Sequence, residues 1–93
     1  MNYSYYDLGN LKKGQVVEVT LSAAANVCLL TPSDFTNYKN RRPFNYYGGK
    51  ITQSPYPIPI PFSGHWYLTI DLGGYSGTVS HDIQILPGYL SEA

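Results

Sequence analysis

Alternation of apolar and polar positions runs through most of this chain. In Gln15–Ser22, Val17, Val19 and Leu21 fall on one side while Glu18, Thr20 and Ser22 fall on the other. Period-two spacing with β-branched residues predicts a half-buried strand. Leu11-Lys12-Lys13-Gly14 reads as the turn leading into it, and Ala23-Ala24-Ala25-Asn26 as the link to a second strand over Val27–Thr31. Three alanines are too few to sustain a helix. Pro32-Ser33-Asp34 then halts the strand and offers a helix start. Ser33 is the expected cap, and Phe35 and Tyr38 are spaced for one face of a short helix near 33–40.

The polar and aromatic string from Asn40 to Gly49, closed by two glycines, predicts a loop. Lys50–Ser54 follows as a short strand. From Pro55 to Pro61 every second residue is proline, which removes alternate N–H donors and confines the segment to a sheet edge or a polyproline-like stretch. Gly64 opens the clearest strand, with Trp66, Leu68, Ile70 and Leu72 on one side and His65, Tyr67, Thr69 and Asp71 on the other. Gly73-Gly74-Tyr75-Ser76-Gly77 reads as a hairpin loop, and Thr78–Leu86 as the returning partner with Val79, Ile83 and Ile85 in register. Short strands punctuated by turns, without a long helix, predict an all-β fold. Its form is a two-sheet antiparallel β-sandwich, with a small barrel as the alternative.

Length and charge narrow this further. Ninety-three residues suit one domain over 1–93 and leave no room for a two-domain enzyme. Ten tyrosines sit within the 43% hydrophobic fraction, so many of them must lie at a surface or a core boundary. Six Lys plus Arg balance six Asp plus Glu, but unevenly. All six cations precede residue 51 and face Asp7, Glu18 and Asp34, while Asp71, Asp82 and Glu92 follow without a cation. The asymmetry could orient a contact between copies, so self-association is one expectation about partners. Met1–Tyr6 show no basic stretch followed by an apolar run, and no apolar stretch is long enough to span a bilayer as a helix; neither a signal peptide nor a membrane contact is expected. Cys28, the single cysteine, stands in an apolar string with no cation beside it. A buried structural thiol in a reducing cytoplasm is the expectation.

Taken together, Asp7-Leu8-Gly9, Leu11-Lys12-Lys13-Gly14, Val17-Glu18-Val19, Asn37-Tyr38, Tyr46-Tyr47-Gly48-Gly49 and Gly64-His65-Trp66-Tyr67 through Asp71-Leu72-Gly73-Gly74 resemble a bacterial family. It is the one catalogued as domain of unknown function eighteen-eighty-three. The resemblance covers nearly the whole chain and implies a CUB-like β-sandwich of jelly-roll type. It brings no catalytic residues. Gly64–Leu72 is also loosely similar to the late strand of pre-peptidase C-terminal and collagen-binding β-sandwiches. Their calcium sites need clustered carboxylates, which this chain lacks in sequence.

Candidate chemistry is sparse. His65 and His81 have no metal-ligand spacing, and neither a metal nor a cofactor is expected. In strand register His81 reads as a hydrogen-bonded boundary residue or one turned outward by a bulge. Ser80, His81 and Asp82 are consecutive in a strand and point to alternating faces, so they form no relay. There is no nucleophile elbow or phosphate loop, and no enzyme is expected. The proline string more simply guards an edge than docks on a partner. The stretch 38–50 remains, where Tyr38, Lys39, Arg41, Arg42, Phe44, Tyr46, Tyr47 and Lys50 combine cations with flat aromatics. Two readings stand: a binding loop for a protein partner or small ligand, aided by Tyr67 and Tyr75, or a solvated lid over the open end of the sandwich. An anion or single-stranded nucleic-acid site is the rival to the first, and net neutrality counts against nucleic acid.

Overall fold

The computed structural model describes residues 3–74 and 77–87. Seven strands and one helix follow in the order β1 (Tyr3–Leu11), β2 (Val16–Leu21), β3 (Ala25–Leu30), α1 (Pro32–Lys39), β4 (Tyr47–Ile51), β5 (Tyr56–Pro59), β6 (Gly64–Asp71) and β7 (His81–Leu86). They form two antiparallel sheets, one ordered β1-β6-β3-β4 (sheet A) and the other β5-β2-β7 (sheet B). The expected all-β sandwich with one short helix is what is found, as two separate sheets and not a closed barrel.

The alternation read from the sequence packs the middle. Val17 and Val19 of β2 and Ile58 of β5 meet Val27, Leu29, Trp66, Leu68 and Ile70 of sheet A in one buried cluster. The next residues along β3, Cys28 and Leu30, turn to the outer side of sheet A and pack with Phe35 and Tyr38 of α1. Covered on both sides, β3 is apolar without a break from Val27 to Leu30, as central strands are. The helix starts one residue earlier than expected. Thr31, not Ser33, is its cap, accepting the Asp34 N–H at 3.3 Å while Pro32 occupies the first turn.

Other expectations are corrected. The first strand, β1, has no counterpart among the elements the sequence predicts. It pairs with β6, but its register shifts between Asp7 and Gly9, where Gly9 adopts φ 70°. That bulge carries the inward positions from Tyr6 and Leu8 to Leu11, and so hides the period of two. Strand β4 covers Tyr47–Ile51 instead of Lys50–Ser54, so the glycine pair lies within a strand. Gly48 is needed there, because a Cβ would collide with the Val27 carbonyl oxygen. The largest correction concerns β6 and β7, which do not form a hairpin. Both flanks of β6 are taken by β1 and β3, and the chain crosses to sheet B, where β7 pairs with β2. The expected loop residues Tyr75 and Ser76 lie outside the described residues.

The proline segment is an edge strand as expected. Ile60 donates its N–H to the Gln15 carbonyl at 2.8 Å and accepts from the Gly14 N–H at 3.1 Å. The ring nitrogens of Pro59 and Pro61 therefore face away from β2, while Ile58 and Ile60 are buried. At the opposite side of the sandwich the Tyr6 hydroxyl lies 2.7 Å from His81 Nδ1 and joins β1 of one sheet to β7 of the other. His81 is the hydrogen-bonded boundary residue.

Candidate functional site

The end of helix α1 sets the path of the loop beyond it. The Arg42 N–H bonds the Asn37 carbonyl at 2.9 Å and the Arg41 N–H bonds the Tyr38 carbonyl at 3.3 Å. This is the paired closure usually completed by glycine in the left-handed region, yet Arg41 occupies it with φ 58°. The chain then reverses, and the Asn45 N–H bonds Asp34 Oδ1 at 3.1 Å, tying the loop back to the first turn of the helix. Phe44 sits edge-on to Tyr38 with ring centroids 5.2 Å apart, and Tyr46 leans on Phe44 at 5.6 Å. Phe44 packs against Tyr38 on the outer side of sheet A. Tyr46 stays 49% exposed.

Between this loop, β4 and the outer side of sheet A lies an open cleft of about 670 Å³. Arg41, Arg42, Phe44 and Tyr46 come from the loop, Gly49 and Lys50 from β4, and Tyr38 from the helix. Asn26 and Cys28 of β3 and Asp71 of β6 contribute from the sheet. Of the residues singled out in the sequence, Tyr38, Arg41, Arg42, Tyr46 and Lys50 are thus brought together. Lys39 is not: its ammonium lies 4.7 Å from the centre of the Phe35 ring. Tyr47 is edge-on to the buried Trp66 at 5.9 Å, and Tyr67 stacks on Phe35 at 4.4 Å. Tyr75 lies outside the described residues.

Asp71 is the residue that sequence reasoning missed. It is 7% exposed, and Oδ1 accepts from the Asn26 amide at 3.0 Å and the Gly73 N–H at 2.8 Å. Oδ2 accepts from the Tyr38 hydroxyl at 2.7 Å. Three donors hold the carboxylate in one orientation. Burial, and then the bond to Asp71, push the Tyr38 phenol well above its ordinary range. Burial also raises the Cys28 thiol to about 11, so it stays protonated and is a poor nucleophile at neutral pH. Beside them, Thr69 Oγ1 is fully buried with no hydrogen-bond partner among the described residues. By alternation Asp71 looks like an ordinary solvent-facing position; its pairing with an asparagine 45 residues earlier is what betrays it.

The rim carries the opposite charge. Among the described residues the one contact between a carboxylate and a basic side chain is His65 Nε2 to Asp7 Oδ1, at 2.7 Å, so Arg41, Arg42 and Lys50 have no ion-pair partner there. The Gly9 N–H and then His65 hold the Asp7 carboxyl below its ordinary range, well away from the cleft. No three His, Cys, Asp or Glu side chains converge among the described residues.

Fold and cleft together define a small antiparallel β-sandwich with one helix and a cationic, aromatic cleft on its outer side. The chain belongs to the family described as Domain of unknown function (DUF1883), which matches residues 1–88. No curated protein and no solved structure matches it, and the expected CUB-like resemblance is not confirmed. No helix among the described residues is long and apolar enough to cross a membrane.

Proposed function

We propose that this domain is a non-enzymatic binding module whose contact surface is the cleft beneath residues 41–46, in a cytoplasmic setting that suits its free Cys28 thiol. The observation that supports this most is the gathering around one cleft of the half-exposed Tyr46 ring and three cations without an ion-pair partner among the described residues. Unneutralised cations clustered on a small neutral domain repel one another, and an anionic partner relieves that repulsion. The strained backbone at Arg41 points the same way, since a left-handed arginine costs about 1–2 kcal/mol over a residue suited to the position.

Retention assays test the reading. The parent domain and an Arg41→Ala, Arg42→Ala, Tyr46→Ala variant are immobilised and exposed to cell extract at low and high salt. Loss of a retained species from the folded variant supports the cleft; the same species held equally by both would overturn it. Single-stranded nucleic acid is the second reading, favoured by the rim cations and opposed by net neutrality. It predicts retention of nucleic acid that collapses as salt rises.

A further inference from the structure

We propose that the cleft recognises a small organic anion from two ends: a flat ring whose phosphate or carboxylate meets Arg41, Arg42 and Lys50, and whose far end offers one N–H or O–H donor to Asp71. The inference rests on the cleft being the binding site and names its ligand class. An ionised carboxylate presents about four lone-pair sites. Asn26, Gly73 and Tyr38 fill three of them, two on Oδ1 and one on Oδ2. Among the described residues the fourth acceptor site, on Oδ2, has no donor, and Asp71 lines the cleft. It favours a donor and repels an acceptor.

The rim imposes the other half. Planar guanidinium groups match phosphate and carboxylate oxygens in pairs, and two arginines with a lysine stand there without ion-pair partners among the described residues. Phe44 and Tyr46 line the same cleft and supply flat apolar surface suited to a ring. An opening of about 670 Å³ falls within the size of small-molecule sites. An inorganic anion would leave the rings and Asp71 unused. A purely cationic ligand would meet three positive charges. A long nucleic-acid strand wants a cationic track longer than this rim.

Calorimetric titration at low salt with cytidine monophosphate, N4,N4-dimethylcytidine monophosphate, cytidine and inorganic phosphate separates the contacts. The two nucleotides have the same phosphate, sugar and ring, but dimethylation removes both hydrogens of the amino donor and leaves the base edge with acceptors only. The expected result is tighter binding of cytidine monophosphate than of its dimethyl form by about tenfold, the worth of one hydrogen bond to a charged group. Cytidine and phosphate should each bind more weakly than the whole. Arg42→Ala should weaken both nucleotides in parallel and leave their ratio unchanged, whereas Asp71→Asn should reduce the ratio. Should Asp71→Asn fail to fold, the nucleotide pair still decides, because it alters only the ligand. Equal affinity for the two nucleotides, or no binding of any of the four, overturns the two-ended ligand. If the triple alanine variant nevertheless loses its partner in the retention assay, the cleft stands and only the ligand class falls.

Discussion

The two sides of sheet A are built from the same strands and obey different rules. On the inner side, Val27, Leu29, Trp66, Leu68 and Ile70 interlock with sheet B, and the one polar atom of the Trp66 side chain escapes to the Phe62 carbonyl at 3.1 Å. On the outer side the alternate residues Cys28, Thr69 and Asp71 lie beneath or beside the helix, with a carboxylate, a thiol and a lone hydroxyl out of water. Stability on the inner side depends on volume and apolar area. On the outer side it depends on whether each polar group finds a partner. Among the described residues the acceptor site to spare and the cations lining the same cleft lie on the outer side, and for that reason the proposed function is placed there.

Four changes would break or sharpen this contrast. The largest effect is expected from Leu68→Ala at a fully buried inner position, a loss of about 2–5 kcal/mol in urea unfolding. A loss no larger than that of an exposed leucine would mean the inner side is loosely packed. Next comes Asp71→Ala, which strands the Tyr38, Asn26 and Gly73 donors and should cost about 1–3 kcal/mol. Adding Tyr38→Phe should cost less in that background than in the parent, and strict additivity in the double-mutant cycle would refute the shared network. Arg41→Gly should act in opposite directions on the two properties. It relieves the left-handed arginine, gaining about 1 kcal/mol in stability, and weakens anion binding.

The remaining effect is a pH dependence. The Cys28 thiol is raised to about 11 in the folded chain against 9.0 for the ordinary group, so the folded state holds its proton longer than the unfolded one. The stability from keeping it neutral is complete below about pH 9 and is lost as pH rises toward 11. Over that window the melting temperature of the parent should fall more steeply than that of Cys28→Ala. Parallel curves would show that the thiol contributes nothing.

How far the sequence discloses all this depends on how local each cause is. Val17-Glu18-Val19 and Trp66 through Asp71 announce their strands because alternation is written in adjacent residues. The prolines announce an edge because each removes its own donor. Strand β1 is hidden by a single bulge at Gly9, and the start of β4 by Gly48, which serves a contact with Val27 that no local pattern records. A β6–β7 hairpin is the wrong expectation because glycines can signal a turn without showing that both flanks of β6 are occupied. The site divides in the same way. Arg41, Arg42, Tyr46 and Lys50 stand out by composition, but Asp71, Asn26 and Cys28 join them only through strand pairing across the sheet.

The proline edge bears on how copies of this domain could assemble. Because the nitrogens of β5 that face outward carry no hydrogen, sheet B presents an extensible border only along β7. Two copies that joined border to border through β7 would leave a proline strand at each end of the merged sheet. Growth by strand addition along sheet B would therefore stop at two, as a polymer stops when both ends carry a terminator.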